Sequence, residues 1–294
     1  MLNFKKAQIE DRESIVKILS ESPCKSMEYN FTLIFMWEDQ YGIEYAIDEG
    51  ILYIRSGNDK KSFLFPCGNG DIKKAIEKMR SMSPEGLSFY SLNKEQKQYI
   101  ECEYPHQFEM AYNRNAGDYV YLTENLTSLA GKKLSSKRNH INRFESEHKN
   151  WTYEKITPEN LDEVCKMHNL WCDMQDISQK KGLKEETDAV KKVFKYYDRL
   201  NLSGGLIRAD GQVVAFSVGD RLNNNTFLVH IEKAFGNING AYPLINREFV
   251  RHNCGDYKYV NREDDAADEG LRKAKLSYRP VEIIEKYNAK EIIL

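Results

Sequence analysis

HIEKAFGNINGAYPLINREF, residues 230–249, is the stretch on which the fold turns. Apolar, β-branched TFLVHIEKAF reads as a strand closed by Phe235. The loop Gly236–Tyr242 follows, and PLINREFV begins a helix at once. A helix's first turn leaves N–H groups unpaired and carries partial positive charge, so it attracts phosphate. Gly236 and Gly240 let the backbone turn sharply, Ala241 adds little bulk, and Pro243 suits a first helical turn. A G-x-x-x-G pair without Lys or Ser is equally the mark of an ordinary strand-to-helix turn.

Working outward, GGLIRAD and QVVAFSVGDRL precede this strand and are joined by Asp210-Gly211, a hairpin signal. Two helices come before them. One is opened by Thr157 as cap with Pro158 at the first position, and the other is ETDAVKKVFKYYDRL, capped near Thr187. After the loop come strand DYKYVNRE, helix DAADEGLRKAKLSY and a final strand region PVEIIEKYNAKEII. Residues 1–114 repeat the theme: a helix through Ile15 and Leu19, strands GILYIRSG and KSFLFPCG, helix DIKKAIEKMRSM, strand GLSFYSL and helix KEQKQYIECE. The character shifts near residue 115, which divides the chain into 1–114 and 115–294.

The 43 basic and 45 acidic side chains nearly cancel, so no whole-protein grip on nucleic acid or anionic membrane is expected. Six scattered cysteines form no C-x-x-C pair and imply no zinc site. No Ser-His-Asp order, metal spacing or Walker loop appears, and no metal is expected. Nowhere do apolar residues run to transmembrane length, and MLNFKKAQIEDRESIVKIL is too charged for a signal peptide, so a cytoplasmic protein is expected.

Two helices, a three-strand meander, the glycine loop with its helix, then strand, helix and strand is an order that resembles the acetyltransferase (GNAT) superfamily. LAGKKLSSKRNHINRFESEH, HIEKAFGNINGAYPLINREF, YVNREDDAADEGLRKAKLSYRP and YNFTLIFMWEDQYGIEYAI together resemble an uncharacterised bacterial family related to the C-terminal catalytic domains of phosphatidylglycerol lysyltransferases. The resemblance implies an α/β (α+β) fold of two GNAT-like domains in tandem, with mixed central sheets flanked by helices. It implies an acyl- or aminoacyltransferase whose donor is acyl-CoA or aminoacyl-tRNA. The acceptor would be a small-molecule or lipid-like amine or hydroxyl, with tRNA as a partner. The alternative is a non-catalytic ligand- or tRNA-binding module that retains the fold.

Candidate residues follow. The loop residues Phe235, Gly236, Gly240, Ala241 and Tyr242 would hold the donor's phosphates. The basic run Lys132, Lys133, Lys137, Arg138, His140 and Arg143 is a solvated helix face or a phosphate site, with Lys137 and Arg138 foremost. Arg272 and Lys275, three apart, share a helix face and join the donor set. Asn261, Arg262, Glu263 and Asp264 end a strand, where α/β sheets commonly place ligands. Glu263 or Asp264 would orient or deprotonate the acceptor; alternatively these acids cap the next helix. Tyr278 is a core residue or, by the resemblance, protonates a departing thiolate. His230 and Glu232, two apart on one strand, are expected on one face, and Trp171 packs in the core or lines the cleft.

Overall fold

The structure is a computed structural model that describes residues 2–20, 22, 24–57, 62–175 and 181–293. Its strands are β1 (Glu44–Asp48), β2 (Ile51–Ser56), β3 (Ser62–Phe63), β4 (Cys67–Gly68), β5 (Ser88–Leu92), β6 (Phe108–Tyr112), β7 (Asp118–Leu122), β8 (Thr152–Lys155), β9 (Ser203–Ala209), β10 (Gln212–Arg221), β11 (Thr226–Ala234), β12 (Tyr259–Asn261), β13 (Glu282–Ile284) and β14 (Tyr287–Glu291). They form two mixed sheets flanked by helices. The first runs β1-β2-β3-β5-β14-β6, with β4 also on β2; the second runs β13-β7-β12-β11-β10-β9-β8. Each holds one parallel pair, β3 with β5 and β11 with β12, among antiparallel neighbours.

The two sheets follow one plan, and each borrows a strand. β14, the chain's last strand, lies between β5 and β6, while β7, which follows β6 in sequence, lies between β12 and β13. The stretch expected as one final strand region is therefore divided between the sheets at Glu285-Lys286. With the division proposed at residue 115, β14 is the segment that crosses back.

Lys286 and Asp118 stand at the two crossing points. Both are fully buried, and the Lys286 ammonium bonds Asp118 Oδ1 (2.5 Å) and Glu28 (2.7 and 2.6 Å). The neighbouring Lys286 carbonyl accepts the Asn113 N–H at 2.8 Å.

The second sheet is covered on both faces. Phe216, Val218, Leu228 and Ile231 pack with the helices Arg12–Leu19, Phe31–Met36 and Leu161–Asp173, so residues of both halves build one core. All six residues of Phe31–Met36 are buried. Ala215, Phe227 and Val229 point the other way, onto helix Ala241–Asn253 and onto Ile141 and Phe144 of helix Ser135–Glu147. Each fully buried Phe or Leu there contributes roughly 1.5–3 kcal/mol.

Two helix starts differ from expectation. Leu161–Asp173 begins three residues after Pro158, because the Asn160 side chain closes a turn by accepting the Thr157 N–H at 2.8 Å. Thr187 lies inside helix Lys181–Lys195 and caps nothing; its hydroxyl donates back to the Leu183 carbonyl at 2.8 Å.

Candidate active site

β11 and β12 pair only over Thr226–Leu228 and Tyr259–Asn261. β11 continues to Ala234 whereas β12 stops, so the parallel pair opens into a wedge beside the glycine loop. Two ion pairs span the opening. Arg262 Nη2 meets Glu232 Oε1 at 2.7 Å, and His230 Nδ1 meets Glu263 Oε1 at 2.9 Å.

These pairs lie on different faces, contrary to the expectation for His230 and Glu232. Val218 pairs with Ile231 and Gly219 with Val229, which leaves His230 unopposed in a β-bulge. The extra residue breaks the two-residue alternation. Leu228 and Ile231, three apart, consequently share one core while Phe227 and Val229 face the other.

His230 reaches toward the N-terminal half. Its Nε2 lies 3.1 Å from Asp220 Oδ1, and Asp220 accepts from Asn30 Nδ2 (2.7 Å) and Thr32 Oγ1 (2.6 Å). Burial works against the imidazolium, but Asp220 and then Glu263 overcome it and hold its pKa up at about 9. Raised from about 6.5, this pKa makes the folded state bind a proton that the unfolded chain releases. The contribution, on the order of 3 kcal/mol, is fully present below about pH 6.5 and is lost as pH rises through about 9. Urea unfolding of His230→Gln is expected to be flatter than native across that window. An equal slope in both proteins would contradict the charged triad.

Glu263 owes its aim to a strained backbone. Its φ is +58°, a left-handed conformation uncommon for a side chain of this size. Asn261 holds it there: Oδ1 accepts the Glu263 N–H at 2.7 Å, while Nδ2 donates to Asp118 Oδ2 (2.9 Å) and the Lys25 carbonyl (2.8 Å).

The neighbouring acids differ in task. Asp264 accepts the Ala266 N–H at 2.9 Å, and burial raises its pKa. Asp265 binds Arg272 Nε (2.8 Å) and the Tyr119 hydroxyl (2.6 Å). None caps the following helix; Asp268 does, accepting the Leu271 N–H at 2.7 Å.

On the opposite face Glu232 also accepts from Asn246 Nδ2 at 2.9 Å. The Arg262 guanidinium lies 4.7 Å from the Tyr278 ring and 5.6 Å from Tyr121, and Lys137 stands 4.1 Å over Tyr278. Burial, then the charge of Arg262, lowers the Lys137 pKa. Tyr278 is thus a buried ring between two cations.

Other donor candidates are spent on structure. Lys275 donates to the Arg262 carbonyl at 2.6 Å and to that of Asp264, and burial brings its pKa down to about 8. With Arg272 it grips the turn at 262–265. Arg138 binds the Leu129 and Gly131 carbonyls, and Arg143 pairs with Glu147 at 2.7 Å.

The loop is set by packing as much as by any ligand. A Cβ on Gly240 would lie 2.2 Å from the His140 carbonyl oxygen, whereas one on Gly236 would meet nothing within 4 Å. The Ala241 N–H goes to the Ile238 carbonyl (3.3 Å) and Pro243 has none, so among the described residues the first turn keeps the Tyr242 N–H for a ligand. His140 Nδ1 and Asn239 Oδ1, 2.8 Å apart, tie the loop to helix Ser135–Glu147. Phe235 packs against both cores at the loop's start. Trp171 carries Lys233 4.0 Å over its ring, and Lys233 pairs with Glu186 at 2.5 Å.

Sequence reasoning missed Asp220, Asn30, Thr32, Asn246 and Ser217. Asn30 and Asp220 lie 190 residues apart, so no spacing joins them. Asn246 alone had a signal, as a polar residue on the apolar face of PLINREFV. Among the described residues no His, Cys, Asp and Glu group has the makings of a metal site, and no helix is long and apolar enough to cross a membrane.

The profile of the family described as phosphatidylglycerol lysyltransferase, C-terminal, matches residues 21–290. A conserved protein of unknown function from Bacteroides thetaiotaomicron VPI-5482 is 33% identical, with TM-score 0.95, 99% of this chain and 100% of that one covered. L-PGS from Bacillus licheniformis shares the fold at TM-score 0.67 and 15% identity, with 98% and 93% covered. An uncharacterised protein of Mycoplasmoides gallisepticum is 25% identical over 183 residues, 61% of this chain. That match spans 58% of the relative's own length.

Proposed function

The chain belongs to the phosphatidylglycerol lysyltransferase C-terminal family, and on that premise we propose that it moves an acyl or aminoacyl group from a phosphate-bearing donor to an amine or hydroxyl acceptor. The observation that carries this is the opened β11/β12 pair, with Glu232–Arg262 on one face and His230–Glu263 on the other. A wedge of this kind, lined by fixed charges and shielded from water, positions a donor carbonyl and stabilises charge that develops on it. The acceptor must lose a proton as it attacks. Among the described residues Asp264 is the carboxylate of the turn not engaged in an ion pair, and burial raises its pKa, which favours taking up a proton.

The donor is acyl-CoA or an aminoacyl-tRNA. The N–H groups at the start of helix Ala241–Asn253 would meet a phosphate of either donor. Lys132 and Lys133, exposed at the start of the basic helix, are at hand for a nucleic-acid phosphate. The acceptor is a lipid-like or small-molecule amine or hydroxyl. A second reading, a binding module without turnover, is favoured by the engagement of Glu263 with His230.

Calorimetric titration with acetyl-CoA and with lysyl-tRNA, followed by transfer to an amine panel and to phosphatidylglycerol vesicles, separates these readings. The charged tRNA is expected to bind, with steep salt dependence, and to lose its aminoacyl group to an acceptor. Binding without transfer to any acceptor would select the module. Binding of neither donor would contradict both.

A further inference from the structure

Three buried polar atoms around Glu232 have no hydrogen-bond partner among the described residues: Arg262 Nη1, Asn246 Oδ1 and Ser217 Oγ. They belong together by construction. Glu232 takes one nitrogen of Arg262 and one of Asn246, which leaves the second polar atom of each side chain unused. Ser217 is the residue directly opposite Glu232 in the β10/β11 register. Asn246 and Ser217 are fully buried. Leaving such atoms unpaired costs about 1–3 kcal/mol each, so three in one place mark a site that something else completes.

We propose that Arg262 is the catalytic residue that donates, through Nη1, to the acyl carbonyl oxygen, while Asn246 Oδ1 and Ser217 Oγ receive the N–H or O–H of the attacking acceptor. The assignment rests on the acyl-transfer reading and names its residues. Charge agrees with it. Arg262 and Glu232 cancel, and Lys137, also against the Tyr278 ring, has no carboxylate within ion-pair distance among the described residues, so the chamber keeps one positive charge in excess. A neutral ground-state carbonyl gains little from that charge, whereas a tetrahedral oxyanion gains much.

The step balances. The acceptor's lone pair forms the new bond to the carbonyl carbon as the π pair moves onto oxygen, under the Arg262 N–H. Collapse re-forms the carbonyl and breaks the bond to the leaving oxygen or sulfur. The proton given up by the acceptor ends on that leaving atom.

Calorimetry with lysine methyl ester and with the methyl monoester of the corresponding phosphonic acid tests this, since the phosphonate is a tetrahedral anion. The native protein is expected to favour the phosphonate by about 100-fold. Arg262→Lys keeps the charge against Glu232 but lacks the second N–H arm, and should bring that ratio close to unity. It should also cut kcat by about 100-fold or more with little change in KM. The double variant Arg262→Met/Glu232→Gln leaves the net charge of the chamber unchanged and decides the matter should Arg262→Lys fail to fold. A phosphonate preference that survives in a folded variant overturns the assignment while leaving acyl transfer intact. A native protein that neither transfers an acyl group nor shows the preference overturns both.

Discussion

Lys286→Met is expected to cost about 3–5 kcal/mol of folding stability, because it leaves two carboxylates facing each other without their shared cation. Lys286 and Asp118 are fully buried and Glu28 nearly so. Burial alone would lower the Lys286 pKa, but Asp118 and Glu28 together hold it well above the ordinary value. The ion pair's place in the topology enlarges the effect. Lys286 precedes β14 and Asp118 opens β7, the two strands that cross between the sheets. Asp118 also accepts from the Met27 N–H (2.8 Å) and from Asn261, the residue that sets the backbone of Glu263. Loss of the cation therefore disturbs the junction and the candidate site together. Urea unfolding monitored by far-UV circular dichroism measures the cost, and Lys286→Met/Asp118→Asn/Glu28→Gln should recover most of it by removing the stranded charges. A Lys286→Met protein within about 1 kcal/mol of native would show that the buried triad does not hold the exchanged strands.

Gly240→Ala and Gly236→Ala are expected to part sharply. Gly240 has φ +87°, and its new methyl would lie 2.2 Å from the His140 carbonyl oxygen and 2.9 Å from Phe144 Cβ. Both backbone and packing oppose it, so helix Ser135–Glu147 must shift off the start of helix Ala241–Asn253 at a cost of roughly 2 kcal/mol or more. Gly236 has open space around it, and alanine there should change stability by no more than about 0.5 kcal/mol. Thermal unfolding measures both. Donor titration adds the functional contrast: reduced donor affinity in Gly236→Ala at unchanged stability means that the ligand approaches the loop there. Equal stability of the two variants would contradict the packing role of Gly240.

The strand, loop and helix at 226–253 and the meander before them were legible because their signals are local: alternation, a Gly-rich turn, an apolar helix face. The strand exchange was not. PVEIIEKYNAKEII has the apolar pattern of one continuous strand region, and only the charged step at Glu285-Lys286 hints at the division between two sheets. Glu232, Arg262 and Glu263 were within reach as charges on and after strands that flank the loop. The bulge at His230 was not, since one extra residue in a strand leaves the local pattern intact while turning the side chain over. Gly240 was legible as a sharp turn, which its φ of +87° agrees with, but its close approach to the His140 carbonyl was not. Ser217 gave no signal of its own, because its significance depends on Glu232 standing opposite.

Strong restraint by ion pairs and turns also limits how the site can work. His230, Asp220 and Glu263 form a charged triad that joins the two halves, so Asp264 is the carboxylate we propose as the base. Arg262 keeps Nη1 without a partner among the described residues while Glu232 fixes its plane. A rigid donor of this kind needs no rearrangement when charge appears on the substrate.

A crystal structure of the native protein soaked with the phosphonate analogue tests the acyl-transfer site most directly. The tetrahedral group is expected between β11 and β12, with an anionic oxygen within hydrogen-bond reach of Arg262 Nη1 and the leaving-group side directed at Gly236–Tyr242. Density for the analogue elsewhere, with the wedge still closed by its own side chains, would contradict it.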